Sequence, residues 1–255
     1  HRYVEKTKVK FKNDEKEFAK EREANIKRLG SDKRLKKLAL DFASQAMKDR
    51  YPYNFDWLGR PIIQYPEDIM AIQELIWNVK PDLVIETGIA RGGSLILSAS
   101  ILELIGGKGE VLGIDTDIRE HNRRKIEAHR MFKRISMLEG SSVDPVILNK
   151  VKKFALGKRK IIVFLDSNHS HAHVLKELEL YSPFVTKGSY IVAFDTIAEF
   201  LPKGIIKNRP WGKGNSPWTA AREFLRTHKN FVPDKSMENK LAITVAYDGF
   251  LKRVR

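Results

Sequence analysis

Two acidic positions invite a chemical reading before any fold is assigned. Asp166-Ser167-Asn168-His169 follows the apolar run Lys160–Leu165, and Asp195-Thr196 follows a second β-like run beginning at Ser189. Two carboxylates at neighbouring strand ends can share one hard cation with oxygen ligands and waters. His169 lies close by, and an imidazole with an ordinary pKa of about 6.5 can accept a hydroxyl proton. The plainer readings stand beside these: Asp166 as a helix cap, and His169, His171 and His173 as solvated residues. For His171 and His173 the plainer reading is preferred.

A second constellation points to a nucleoside. Glu86-Thr87-Gly88-Ile89-Ala90-Arg91-Gly92-Gly93-Ser94 follows another short apolar run. Glycines at 88, 92 and 93 let a backbone turn sharply and approach a ligand, and a helix opening near Gly93 offers free N–H groups to an anion. Asp115 ends the next apolar run, where an acidic side chain can accept the hydroxyl hydrogens of a ribose. Gly140-Ser141-Ser142, after a third run, offers hydrogen bonds to an adenine edge, or is simply a turn with a cap. A dinucleotide is the main competitor as ligand. Its fingerprint needs a second glycine where Ala90 stands, and Glu86 would repel a diphosphate. A carboxylate there suits an ammonium, such as that of the methionine part of S-adenosylmethionine.

These residues need elements to position them. From Asp82 onward the chain alternates strand-like runs (Asp82–Glu86, Gly109–Asp115, Ile135–Leu138, Lys160–Asp166, Ser189–Asp195) with helical segments (Gly92–Leu104, Asp117–Phe132, Val146–Phe154, His171–Tyr181, Trp218–Lys229). That rhythm predicts an α/β fold, a doubly wound, mostly parallel sheet with helices on both faces. Ligands of such sheets bind beyond the carboxyl ends of the strands, where the informative residues here lie. Phe231–Asp234 and Leu241–Tyr247 are expected to pair antiparallel at the edge. Pro66–Val79 has helical periodicity, and Tyr51–Gln64 is aromatic and expected to be irregular. Residues 1–50 form a basic helical arm, one helix ending at Gly30 and a second capped by Ser31-Asp32. Residues 51–255 form the main domain. The arm has only a partial apolar face, so it is expected to pack on the domain or in a homo-oligomer.

Composition narrows the classes. The chain has 255 residues, 42% of them hydrophobic, enough for one large α/β domain. It has no cysteine, which removes disulfides, thiolate metal sites and cysteine nucleophiles. No apolar run reaches the ~20 residues that span a bilayer, and no leader pattern is seen, so a cytoplasmic protein is expected. The net charge is +15, and residues 1–50 hold 16 Lys/Arg against 9 Asp/Glu. Such a balance attracts anionic partners, nucleic acid included. The arm, however, lacks the interleaved aromatics and glycines of a single-strand RNA surface, so no nucleic-acid partner is expected.

Several runs together resemble the cephalosporin hydroxylase family. They are Trp57-Leu58-Gly59-Arg60-Pro61-Ile62-Ile63-Gln64, Pro81 through Ser94, Asp166-Ser167-Asn168-His169 with His173-Val174, Gly188-Ser189-Tyr190, Asp195-Thr196, Trp211-Gly212 with Gly214-Asn215, and Asp248 through Val254. The likeness runs from about residue 51 to the C-terminus. It implies a class I methyltransferase fold, S-adenosylmethionine binding, and relatives that methylate rhamnosyl groups. It implies that Glu86, Gly88, Gly92, Ser94, Asp115 and Ser142, with Asp166, bind the donor, and that Asp166 and Asp195 hold magnesium. Phe194 departs from the pattern, which usually has Glu before Asp-Thr, and that removes one expected metal ligand. The expected activity is an S-adenosylmethionine-dependent O-methyltransferase acting on a sugar, glycan or small-metabolite hydroxyl, with His169 as base and Asp166 beside it. The alternatives are a scaffold of the same fold that has lost catalysis, supported by Phe194, and an RNA methyltransferase, supported by the charge.

Overall fold

The structure is a computed structural model that describes residues 2–205 and 208–255, with side chains from Asp14 onward. Two helices lead, α1 (Arg2–Ser31) and α2 (Lys33–Ala46). Asp32 has an extended backbone and accepts the Leu35 N–H, which caps α2. Helix α1 runs through Gly30 instead of ending there. A Cβ at Gly30 would meet the side-chain amide of Asn239, which would have to turn aside. Ala39 and Ala43 bury α2 against the domain, and Phe42 meets Tyr51 edge-on at 5.5 Å. Phe18, Leu29 and Leu38 remain exposed. No described helix is long and apolar enough to cross a membrane.

The aromatic segment after the arm holds a hairpin instead of irregular chain. β1 (Phe55–Trp57) pairs antiparallel with β2 (Arg60–Ile62). Leu58 and Gly59, at φ 46° and 80°, supply the two positive angles that a tight hairpin turn needs. The Trp57 indole N–H donates to Ser100 at 3.0 Å and staples the hairpin to the domain.

The domain then follows as α3 (Pro66–Val79), β3 (Leu83–Thr87), α4 (Gly93–Ile105), β4 (Glu110–Asp115), α5 (Glu120–Glu127), β5 (Ile135–Glu139), α6 (Pro145–Ala155), β6 (Ile161–Leu165), α7 (His171–Tyr181), β7 (Tyr190–Ala193), α8 (Pro217–Thr227), β8 (Phe231–Pro233), α9 (Lys235–Asn239) and β9 (Phe250–Arg253). The sheet order is β5-β4-β3-β6-β7-β9-β8. The first five strands are parallel, and β9 is antiparallel to both neighbours. This is the doubly wound sheet of class I methyltransferases. Alternate strand residues feed two cores. Val84, Ile162 and Val192 face α2, α3 and α4, while Leu83, Val163 and Ile191 face α6, α7 and α8. Strand order reverses between β3 and β6, so their ends open the crevice.

Two further elements depart from the sequence expectation. The helix expected over Asp117–Phe132 is short because its flanks bond locally. Asp115 Oδ1 accepts the Asp117 N–H, and His129 Nδ1 accepts the Met131 N–H to start a separate 3-10 turn. The edge partner of β8 is β9, not Leu241–Tyr247. That segment is held elsewhere: Thr244 O–H and Val245 N–H bond the buried Asp68, and the Val245 carbonyl accepts from Thr196 and Ile197.

Gly93 sets how closely the hairpin approaches. A Cβ there would meet the Pro61 carbonyl and the Ile62 backbone. Gly93→Ala is expected to cost about 1–3 kcal/mol, the range for overpacking, outweighing the up to ~1 kcal/mol that alanine gains in a helix. Urea unfolding measures this, and an unchanged midpoint would mean the hairpin can yield.

Candidate active site

The glycine loop after β3 is held by its neighbours. Asp115 Oδ2, at the end of β4, accepts the N–H groups of Ile89 (2.8 Å) and Ala90 (3.2 Å). Asn122 donates to the Ala90 carbonyl, and Arg60 donates to the Arg91 carbonyl and to Asn122. Gly88, at φ 91°, sits where a Cβ would strike the backbone of Asp166, so glycine lets the β3 and β6 ends touch. Gly92, also at positive φ, precedes the first turn of α4. Asp115 thus serves first as a clamp on the loop. A carboxylate offers about four lone-pair sites, and Asp115 remains partly exposed, so it retains capacity for a ligand.

Glu86 lies beneath this loop, 3% exposed, with Ser94 donating its hydroxyl to it. Burial pushes the carboxyl up to about 8, against an ordinary 4.5, with the Ser94 hydrogen bond opposing. No cationic partner of Glu86 stands among the described residues, and a buried carboxyl so placed suits an incoming ammonium. Ser142, after β5, is buried with its Oγ 3.3 Å from His173 Nε2. His173 also meets Ser167 (3.3 Å) and the buried Glu177 (3.4 Å), and Ser167 donates to Glu177 at 2.8 Å. Read from sequence as solvated, His173 is part of a polar cluster behind the crevice. His171 is tied to Thr219 (2.8 Å) and Glu223 (3.2 Å).

Across the crevice, Asp166, His169 and Asp195 converge, with potential ligand atoms within 4.8 Å of one another. His169 Nε2 is 3.1 Å from Asp195 Oδ2. Asp195 leaves β7 in the left-handed region at φ 55°, a backbone state that aspartate tolerates better than most residues. Desolvation, then the negative charges of Asp195, Glu86, Asp68 and Glu177, hold the Asp166 carboxyl well above the usual range. Gln64 Nε2 donates to Asp166 Oδ2 at 3.1 Å. Trp211 meets His169 edge-on at 5.1 Å, in the loop between β7 and α8, of which residues 206 and 207 lie outside the described residues. Phe194 is buried against Phe164, ring centroids 5.8 Å apart, and contributes no polar atom.

All the predicted site residues stand at the carboxyl ends of β3 to β7. Glu86, Ser94, the glycines and Asp115 gather on one side, and Asp166, His169 and Asp195 on the other. Arg60, Gln64, Asn122 and His173 carry roles that reading by strand ends did not assign. The run Trp57–Gln64 had a visible signal as part of the family-like segments, but its role needed the fold.

Residues 49–254 match the family described as Rhamnosyl O-methyltransferase/CmcI. The chain belongs to this family. A rhamnosyl O-methyltransferase of Mycobacterium tuberculosis (strain ATCC 25618 / H37Rv) is 32% identical over 188 residues, covering 73% of each chain. A solved structure of CmcI without ligand superposes with a TM-score of 0.60 at 20% identity, covering 80% of this chain and 77% of that one. Another CmcI structure, described as Mg-SAM, gives 0.55 at 19% identity over 80% and 78% of the two chains. The recognised family, fold and class, an S-adenosylmethionine-dependent O-methyltransferase, agree with the reading from sequence.

The buried carboxyl makes stability depend on pH. Folded, Glu86 keeps its proton up to about pH 8; unfolded, it releases it near 4.5. The neutral native carboxyl therefore contributes stability that is fully present below the unfolded value and lost as pH rises through about 8. Glu86→Gln is neutral throughout. Its stability relative to the wild type is expected to grow by about 1.4 kcal/mol per pH unit between those values and to level off above. Urea melts at pH 5, 7 and 9 test this, and a gap independent of pH would refute it.

Proposed function

We propose that the protein transfers the methyl group of S-adenosylmethionine to a hydroxyl of a sugar, glycan or small secondary metabolite. The observation that carries this reading is the placement of buried Glu86, under a glycine loop, across one crevice from Asp166, His169 and Asp195. When bound, the donor supplies a methyl group activated on a sulfonium. Glu86 receives its ammonium, the loop from Gly88 to Gly92 and Ser94 shape the methionine end, Asp115 takes the ribose hydroxyls, and Ser142 backs the adenine wall. His169 Nε2 lies 3.1 Å from Asp195 Oδ2, and in the tautomer protonated at Nε2 the Nδ1 lone pair would take the acceptor proton. Asp166 and Trp211 bound the space for the acceptor, and alignment of its oxygen is the main demand of a direct displacement.

The donor set fits a divalent cation. Carboxyl groups crowd Asp166, no Lys or Arg ion pair is formed with Asp166 or Asp195 among the described residues, and the buried Gln64 Oε1 lacks a partner. Asp166 and Asp195 would hold magnesium, which would orient the acceptor hydroxyl and lower its pKa.

Two variants separate the halves of this reading. Asp115→Ala is expected to weaken S-adenosylmethionine binding by about 1–3 kcal/mol, measured by calorimetry. His169→Ala is expected to keep donor affinity while turnover on pooled glycans and hydroxylated metabolites falls on the order of 10²–10⁴-fold. Donor binding by the wild type with no turnover on any acceptor would favour the scaffold reading.

The same proposal covers organisation. Residues 1–50 are a basic arm appended to the domain of residues 51–255, and their exposed Phe18, Leu29 and Leu38 are covered by a second copy of the chain. Light scattering is expected to find an oligomer for the full chain and a monomer once the arm is removed. A full chain already monomeric at micromolar concentration refutes this.

A further inference from the structure

The loss of an oxygen donor at Phe194 raises the question of what completes a cation site around Asp166 and Asp195. Phe194 shares its sheet face with Phe164 and is 3% exposed, so that corner is closed and apolar. Beside Asp166 stands Gln64, 4% exposed. Its amide nitrogen is 3.1 Å from Asp166 Oδ2, and its buried Oε1 has no hydrogen-bond partner among the described residues. Buried amide oxygens are nearly always satisfied, so an orphan beside a carboxylate cluster calls for an explanation.

We propose that Gln64 Oε1 is the third protein ligand of a divalent cation held with Asp166 and Asp195, taking the place that a carboxylate at position 194 would fill. This rests on reading the crevice as a cation-assisted O-methyltransferase site. The amide can present either end to Asp166 by turning about its last bond, since its oxygen and nitrogen are nearly isosteric. Turned, it would bring Oε1 to the position now held by Nε2 and set the amide N–H groups where the unpartnered oxygen now lies. A 3.1 Å separation between two oxygens is close to the ~3 Å between adjacent corners of an octahedron with ~2.1 Å bonds, the geometry of magnesium. Without an ion, the amide N–H instead faces the carboxylate. Gln64 therefore answers both states of Asp166.

Gln64 is placed by the hairpin. The Pro61 carbonyl and the Ile62 backbone lie on Gly93, and Arg60 is bonded to the Arg91 carbonyl. The chain leaving β2 is thus fastened to the glycine loop two residues before Gln64. A neutral ligand in place of a carboxylate leaves the site one negative charge short, so it binds magnesium weakly. His169 stays outside this ligand set, its Nε2 turned to Asp195 and its Nδ1 left for the acceptor.

The test uses the full chain with S-adenosylhomocysteine bound, magnesium titrated by calorimetry and manganese followed by electron paramagnetic resonance. Gln64→Glu, which keeps the side chain's size, is expected to tighten magnesium binding at least tenfold. Gln64→Leu is expected to weaken it at least tenfold and to alter the bound-manganese spectrum, with circular dichroism confirming the fold. Magnesium affinity of Gln64→Leu and Gln64→Glu within twofold of the wild type would overturn the proposal, as would no binding of either metal to any of the three proteins. Calorimetry of S-adenosylhomocysteine alone separates the failures. Absence of that binding sinks the methyltransferase reading itself, whereas intact binding with metal affinity indifferent to Gln64 sinks only this assignment.

Discussion

Burial of negative charge governs the crevice. Glu86, Asp68 and Glu177 are buried, and their charges, with that of Asp195, act on the partly exposed Asp166 at the end of β6. In the free protein this charge is relieved by protons and hydrogen bonds. Burial raises Glu86 to about 8 and Asp68 to about 7, and Asp166 lies well above its ordinary value. Such an arrangement favours ligands that bring positive charge. A donor with an ammonium and a sulfonium, and a divalent cation, both meet that demand.

Asp68 shows how far this constraint reaches. It is fully buried at the start of α3 and accepts from Thr244 and the Val245 N–H. Those bonds pull the chain before β9 across the domain, and Val245 in turn receives Thr196 and Ile197 from the turn that carries Asp195. A single buried carboxyl thereby links the helix after the hairpin, the C-terminal crossing and the strand end that holds a site aspartate. Satisfying it explains why Leu241–Tyr247 is not a strand.

The hairpin Phe55–Ile62 plays the complementary part on the other wall. Its contacts are close: the Trp57 indole on Ser100, backbone against Gly93, and Arg60 on the glycine loop. A segment held that way delivers Gln64 to Asp166 with little freedom. The backbone contact depends on the absence of a side chain at 93, and the same holds at Gly88, whose Cβ would meet the backbone at Asp166.

The sequence by itself determined the alternation of strands and helices from Asp82 to Asp195, the parallel sheet, and the strand-end positions of Glu86, Gly88, Asp115, Asp166 and Asp195. These follow from local pattern: apolar runs of strand length, helical periodicity, and turn residues between them. It also carried the family likeness through the runs around Trp57, Glu86 and Asp166. Only the tertiary structure decided which groups face one another. The bond from Gln64 to Asp166 spans 102 positions, and that from Asp68 to Val245 spans 177. No local periodicity encodes such contacts. The same limit hid the hairpin in an aromatic stretch, the clamp by Arg60 and Asn122, and the polar surroundings of His173. Each depends on where a distant backbone comes to rest, and that is set by packing of the whole sheet and its helices.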